Sequence, residues 1–343
     1  MSKELKKGRE PFSDTQLLMT ITICIFFGMY LLAMAIWGGG FLRPQKIFDM
    51  LNDNANLIIV ACSLTVVMIC GSIDISVGGI TCLVVMACTV HMNNGGSIFS
   101  AALLALGIGV AYGIVQGFLI ACLDIQPFIV SLAGMFFARG MTTIISVEPQ
   151  KVAHEGFKNL MSKKIEIPWL GYYGKKGNLI PARMEIGVVI ALVIVVLIFL
   201  LLRFTKLGRN FYAVGGNRQS ALMLGVNVKR TRFLAHFISS ILASIAGFVF
   251  MMHTGAANAT NAAGAEMNAI ASSIIGGTLL TGGVGNIFGT FFGVLTLTTI
   301  KNIVVTSGLR DPWWQSITTG AMLCFFIVLQ SIVLSNRHKK SKK

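Results

Sequence analysis

The side chains able to do chemistry are few, and the best placed is Asp74. It sits in Gly71-Ser-Ile-Asp-Ile-Ser-Val-Gly-Gly79, a carboxylate between two apolar runs with glycines on both sides. An ionisable group in such surroundings faces a cavity or a partner, because hydrocarbon does not solvate it. The same residue type also caps helices, its oxygen accepting the free N–H groups of a run such as the one that begins near Ile75. Both readings stay open on the sequence. Glu266 opens another apolar run, where a carboxylate suits the helix dipole. Arg139, Asn268, Lys301 and Asn302 are further polar residues near the apolar runs, Arg139 and Lys301 as paired, snorkelling or pore-lining groups.

Other chemistries lack their parts. The five histidines are scattered, with neither metal-ligand spacing nor a nucleophile–base arrangement. Cys24, Cys62, Cys70, Cys82, Cys88, Cys122 and Cys324 all lie inside apolar stretches and form no CxxC pair, which reads as small buried hydrophobes. No Gly-x-x-x-x-Gly-Lys-Ser/Thr occurs, so the chain has no P-loop with which to hydrolyse ATP. Gly283-Val-Gly285 is no dinucleotide loop, since no strand precedes it and the third glycine is misplaced. The expectation is a chain that is not an enzyme and carries no cofactor.

The elements that hold these residues follow from composition. Of 343 residues, 55% are apolar and only 12% charged, with a mean hydropathy of +0.77. A soluble domain carries roughly 25% charged residues to wet its surface, so soluble, secreted and disordered classes are excluded. The net charge of +15 points to the membrane rather than to nucleic acid. Its basic residues cluster at Lys3–Arg9, between Arg203 and Arg232, and from Arg337 to Lys343, each cluster flanking an apolar run.

A membrane helix needs roughly 20 mainly apolar residues. Runs of that kind lie at about 16–37, 55–70, 75–92, 98–123, 128–147, 186–202, 233–253, 267–281, 287–306 and 313–334. The expected fold is therefore an all-α integral membrane protein of about ten transmembrane helices. The first run, behind Lys3–Arg9, is too long for a signal-peptide core and has no small-residue cleavage site, so it reads as an uncleaved anchor. With the N-terminus inside, 16 Lys and Arg fall on cytoplasmic segments and ten on outer ones, which places both termini in the cytoplasm. The domains are then a basic tail (1–15), a transmembrane domain (16–334) and a second basic tail (335–343).

Two polar segments interrupt the domain. The outer insert 148–185 is longer than a bundle connection needs, and Trp169, Tyr172 and Tyr173 give it interfacial or protein-docking anchors. Segment 203–232 contains Asn217, a good N-cap, and Gly225, a good helix stop, around a short helix over 218–224. Its Ala221, Leu222, Met223 and Leu224 are more apolar than a solvated turn requires, which suits docking of a soluble partner or packing on the bundle. Gly109, Gly113 and Gly117, and likewise Gly285, Gly289 and Gly293, recur every fourth residue and form helix-packing faces.

Gly71-Ser-Ile-Asp-Ile-Ser-Val-Gly78, Leu207-Gly-Arg-Asn-Phe-Tyr-Ala-Val-Gly-Gly-Asn217, Glu266-Met-Asn-Ala-Ile-Ala271 and Ile274-Ile-Gly-Gly-Thr-Leu-Leu-Thr-Gly-Gly-Val-Gly285 resemble, in order and spacing, the ribose/xylose/galactose family of bacterial ABC sugar permeases. The similarity covers nearly the whole chain. Pro127-Phe-Ile-Val-Ser-Leu-Ala-Gly-Met-Phe-Phe-Ala-Arg-Gly140 and Trp313-Trp314 resemble one permease of the galactofuranose importer within that family. Ser72 stands where the family usually has glycine, and Asn268 where it usually has aspartate.

The resemblance implies a multi-pass permease of the bacterial inner membrane. It would pair with a second permease, identical or related, and be driven by a cytoplasmic ATP-binding subunit. An extracytoplasmic sugar-binding protein would deliver the monosaccharide. Gly216, Asn217, Arg218, Ala221, Leu222 and Gly225 would then form the element that couples to the ATPase, and Asp74 and Asn268 would belong to the substrate pathway. The rival class is an ion-coupled secondary transporter acting alone, with Asp74 as its coupling carboxylate.

Overall fold

The computed structural model describes residues 14–173 and 179–341. Lys3 to Arg9, Lys175, Lys176 and the last two lysines, which the sequence reading used to orient the chain, lie outside the described residues. In lipid every backbone N–H and C=O must be satisfied within the segment, so the apolar runs become helices. Among the described residues nine are long and apolar enough to cross a membrane. They are α1 (Asp14–Trp37), α2 (Gln45–Ile69), α3 (Ser76–Asn93), α4 (Ile98–Ala121), α5 (Pro127–Ile145) and, beyond a short α6 (Glu155–Ser162), α7 (Ile186–Phe204). After α8 (Lys206–Gly216) and α9 (Arg218–Met223) the other three are α10 (Val228–Thr254), α12 (Ile287–Thr306) and α13 (Pro312–Ser341), with the shorter α11 (Ala265–Ile275) between α10 and α12.

α2 and α10 begin well before their apolar runs. α2 begins at Gln45 and α10 at Val228, because polar first turns such as Lys46–Asp49 project past the hydrocarbon where hydropathy no longer marks them. At 27 residues α10 spans about 40 Å against about 30 Å of hydrocarbon. It therefore reaches both faces.

The expected span over 267–281 is not a continuous helix. α11 holds 11 residues, about 16 Å, or half the membrane thickness. Glycine explains the break. Gly264 precedes the helix at φ +75°, and Gly277, Gly282 and Gly283 follow it at +91°, +88° and +74°, all in the left-handed region that an α-helix excludes. The chain still crosses there. Val152 N–H, in segment 148–185, donates to the Gly255 carbonyl, and Gly283 N–H donates to the Ile69 carbonyl at the C-terminal end of α2.

α2 is buried from Leu57 to Ile69 and packs on α10, α7, α11 and α12. The groups α2–α5 and α10–α13 run in opposite senses and exchange partners, α4 lying on α10 as α12 lies on α2. Glycine rows bring α4 close to α10 and α12 close to α11. Gly109, Gly113 and Gly117 face Ser244, Phe237 and Phe233 of α10, while Gly289 and Gly293 face the Gly276 and Ser272 backbone, and Gly285 meets Ile69 in the turn before α12.

The described residues of segment 148–185 are folded onto the bundle. β1 (Gln150–Lys151) pairs with β4 (Ala256–Ala257) at the end of α10, and β2 (Lys164–Tyr173) pairs antiparallel with β3 (Leu179–Glu185). Asn52 of α2 accepts from Glu185 N–H and donates to the Arg183 carbonyl, fixing the hairpin to the membrane domain. Tyr172 lies under the Arg43 guanidinium, 4.9 Å from ring centre to cation, whereas Trp169 projects freely at 84% exposure. On the opposite face, Thr15 and Gln16 of α1 share a cavity with Arg203 and Arg209, and Gln330 of α13 donates to the Ile274 carbonyl.

Candidate functional site

Three segments far apart in sequence meet backbone to backbone under α9. Gly215, at the end of α8, faces the Ile69 carbonyl and the Gly283 N–H; Gly71 (φ +79°) and Gly282 lie against Gly215, and Gly283 lies against Gly216. The Gly283 N–H to Ile69 carbonyl hydrogen bond, 2.9 Å, locks the junction. A Cβ on Gly215 would overlap the Ile69 carbonyl oxygen. Only glycine permits this approach, so the α2–α3 loop, the α8–α9 segment and the α11–α12 loop are coupled without intervening side chains.

The α8–α9 segment is built to hold its shape. Thr205 caps α8 by accepting from Gly208 N–H at 3.1 Å, and Tyr212 donates to the Gly285 carbonyl at 2.9 Å, pinning α8 to the turn before α12. Asn217 ends α8 and caps α9, its Oδ1 accepting from Ser220 N–H at 2.8 Å. Gly225, at φ +79°, closes the unit, and Val226 N–H returns to the Ala221 carbonyl at 3.0 Å. Gly216, Asn217, Arg218, Leu222 and Gly225 thus share one small rigid body with Ala221, which points inward and is buried. Leu222, Met223 and Leu224 point out at 55, 79 and 81% exposure. Three neighbouring apolar side chains thus stand exposed together at the tip of a capped helix.

Asp124 joins this unit to the bundle, a role that its place in Leu123-Asp-Ile-Gln-Pro127 gave no reason to expect. It occupies the α4–α5 turn at φ +54°, a conformation Asp and Asn tolerate better than other non-glycine residues. Arg218 of α9 grips its carboxylate at 3.1 and 3.2 Å, and Arg232 of α10 reaches the same group at 2.5 Å. The hydrogen bonds from Arg218, then Arg232, hold the Asp124 carboxyl below the usual carboxylate range. With a lowered pKa the triad is intact at and above ordinary carboxylate values and is lost only as pH falls through the lowered one.

Asp74 is completely buried and satisfies both readings of its position in part. Its Oδ1 accepts from Ser76 N–H at 3.0 Å and Ser76 Oγ at 2.5 Å, capping α3. Its Oδ2 accepts from Ser239 Oγ of α10 at 2.8 Å, with His236 Nδ1 3.9 Å away. Gln116 of α4 lies 3.2 Å from Ser76 Oγ. Turning its amide lets Nε2, otherwise without a partner, donate to Ser76 while Ser76 donates to Asp74. The result is a three-helix clasp.

Asn268 belongs to a different place, and no hydrogen bond or ion pair joins it to Asp74. Its Oδ1 accepts from Lys301 Nζ of α12 at 2.8 Å. Beside it the non-helical stretch 258–264 is held by Arg139 of α5, which donates to the Ala259, Asn261 and Ala262 carbonyls at 3.0–3.4 Å. Glu266 is buried against Gly78, while Thr260 and Met267 are exposed. Irregular backbone inside a span is tolerated where protein covers it or where it borders a water-filled path.

The family described as "Branched-chain amino acid transport system / permease component" matches residues 46–327. The inner membrane ABC transporter permease protein YjfF of Escherichia coli (strain K12) is 38% identical over 91% of each chain. The fructose import permease protein FruG of Bifidobacterium longum (strain NCC 2705) is 35% identical over 97% of each. The autoinducer 2 import system permease protein LsrC of Enterobacter sp. (strain 638) is 31% identical over 99% of this chain and 92% of its own. No solved structure gives a significant match.

Proposed function

This chain belongs to that transport-permease family, and from that premise we propose that it is the membrane-spanning subunit of an ATP-binding-cassette importer for a monosaccharide. The observation that carries the reading is the convergence of Gly71, Gly215 and Gly283 beneath a capped helix whose apolar tip faces away from the bundle. Such a helix is a lever, with a partner pushing at Leu222–Leu224 and the glycine junction passing the push to two interhelical loops. The α8–α9 face is then cytoplasmic and meets the ATP-binding subunit. The β2–β3 hairpin, with Trp169 projecting, is the side on which a sugar-binding protein delivers its load.

ATP-driven closure of the cytoplasmic subunits moves the lever, and a path shared with a second permease changes the side to which it opens. Asn268, Lys301 and the 258–264 stretch border that path, and Asp74 acts inside the clasp that holds α3 to α10 and α4. Relatives named for fructose and autoinducer 2 import support a small polar cargo. The narrower reading, a galactofuranose-like sugar with two non-identical permeases, rests on the residues from Pro127 to Gly140 and on Trp313-Trp314.

The test is co-purification of the tagged chain from its native membrane in mild detergent. The ATP-binding subunit and a second permease should follow it, and Leu222→Asp should lose the ATP-binding subunit. Placing a charge at a buried anchor costs about 2 kcal/mol or more, on the order of a 30-fold weaker interface. Retention of that subunit by Leu222→Asp would rule out the docking role. Uptake that survives ATP depletion but collapses with a protonophore would replace the importer with an ion-coupled transporter.

A further inference from the structure

The glycine junction joins the docking segment to the α2–α3 and α11–α12 loops. The α4–α5 turn is joined to it by a different device, one carboxylate shared between two arginines from two helices. Arg218 is half exposed on α9, whereas the Arg232 side chain on α10 is only 10% exposed. A solvent-exposed ion pair alone contributes little to stability. Sharing the carboxylate with a buried cation changes its consequence, because without Asp124 the Arg232 guanidinium would lose its only acidic partner among the described residues.

Arg232 also leads inward. His236 and Ser239 follow it at spacings of four and three residues, which places all three on one face of α10. Ser239 donates to Asp74, and His236 stands beside the same carboxylate. The Arg232, His236 and Ser239 face of α10 therefore stands between the Asp124 triad and the start of α3, where Asp74 and Ser76 lead on to Gln116 of α4, although His236 itself makes no hydrogen bond among the described residues.

Resting on the importer reading above, we infer that Asp124 is a positioning residue for energy coupling, making α4, α5 and α10 follow the docking helix when the ATP-binding subunits close. It touches neither nucleotide nor cargo. Its effect is on how many cargo molecules cross for each ATP hydrolysed. A residue that only stabilised the fold would lower uptake and hydrolysis together.

The complete complex, with its ATP-binding subunits and sugar-binding protein, is reconstituted in vesicles, and uptake and ATP hydrolysis are measured on the same preparation. Asp124→Asn keeps the left-handed backbone and shape while removing the charge. The expected result is uptake per ATP at least tenfold below the unmodified complex with all subunits present, and recovery of most of it in Asp124→Glu. Arg218→Gln, on the exposed helix and harmless to folding of the bundle, should reproduce the loss and serves where Asp124→Asn is poorly recovered. An unchanged ratio in either variant, or a proportional fall in both activities with loss of subunits, would overturn the inference. Failure of the importer reading is seen separately, as uptake by the unmodified complex that does not require ATP.

Discussion

Gly215→Val is expected to abolish uptake, and Gly215→Ala to reduce it at least tenfold together with the amount of folded protein. The added carbon falls on the Ile69 carbonyl oxygen and close to the Gly283 nitrogen. These are main-chain atoms already bonded to each other, so neither can rotate away as a side chain would. Overpacking a core costs about 1–3 kcal/mol when side chains can shift, and a backbone clash belongs at the upper end, near 3 kcal/mol. Gly107→Ala is the matched comparison. It is another helical glycine, with nothing within 4 Å of the added carbon, and it should behave like the parent protein. Membrane level, detergent melting temperature and uptake would be measured for all three. Normal melting and transport in Gly215→Ala would mean that the junction is loose and that α8 transmits its motion elsewhere.

The second large effect is expected at Asp74. Asp74→Ala removes the acceptor for the Ser76 N–H, the Ser76 hydroxyl and the Ser239 hydroxyl in a site with no access to water. Leaving buried donors without their acceptor costs about 1–3 kcal/mol each, a large part of the 5–15 kcal/mol that holds a typical domain together. The folded fraction in size-exclusion chromatography should collapse. Asp74→Asn retains the shape and most acceptor geometry and should lose less, about 1–2 kcal/mol. A stable Asp74→Ala protein would show that the clasp does not hold α3. If its uptake also lost sensitivity to a proton gradient, the ion-coupled reading would return with Asp74 at its centre.

The broken span shows why part of the fold was hidden. Hydropathy over 267–281 is as high as a transmembrane helix requires, and it records only that the segment lies in the membrane. Whether the backbone is helical was carried by Gly264, Gly277, Gly282 and Gly283, and those glycines read equally well as packing residues until their φ angles are known. The reverse error occurred at α2 and α10, whose polar first turns carry the helix beyond the apolar run. Local signals did better. Asn217 and Gly225 bound the short helix as expected, because a cap depends on two or three neighbouring residues and not on the rest of the chain.

The sequence by itself determined the membrane class, the order of the apolar segments, the helix-packing glycines and the short capped helix. These are consequences of composition, run length and near-neighbour hydrogen bonding. Tertiary structure alone decided which of the remaining polar residues act together. Asp124 lies 94 positions from Arg218 and 108 from Arg232, so no spacing rule could single it out, while Asp74 and Asn268, similar as isolated polar residues, fall into separate networks. Ala221 was indistinguishable from Leu222 by type and position, yet α9 turns one toward the bundle and the other toward solvent. The reason is common to all three cases. A short-range signal fixes the shape of an element, whereas a charge or a glycine acquires its role from whatever the packing of distant elements brings within a few ångströms of it.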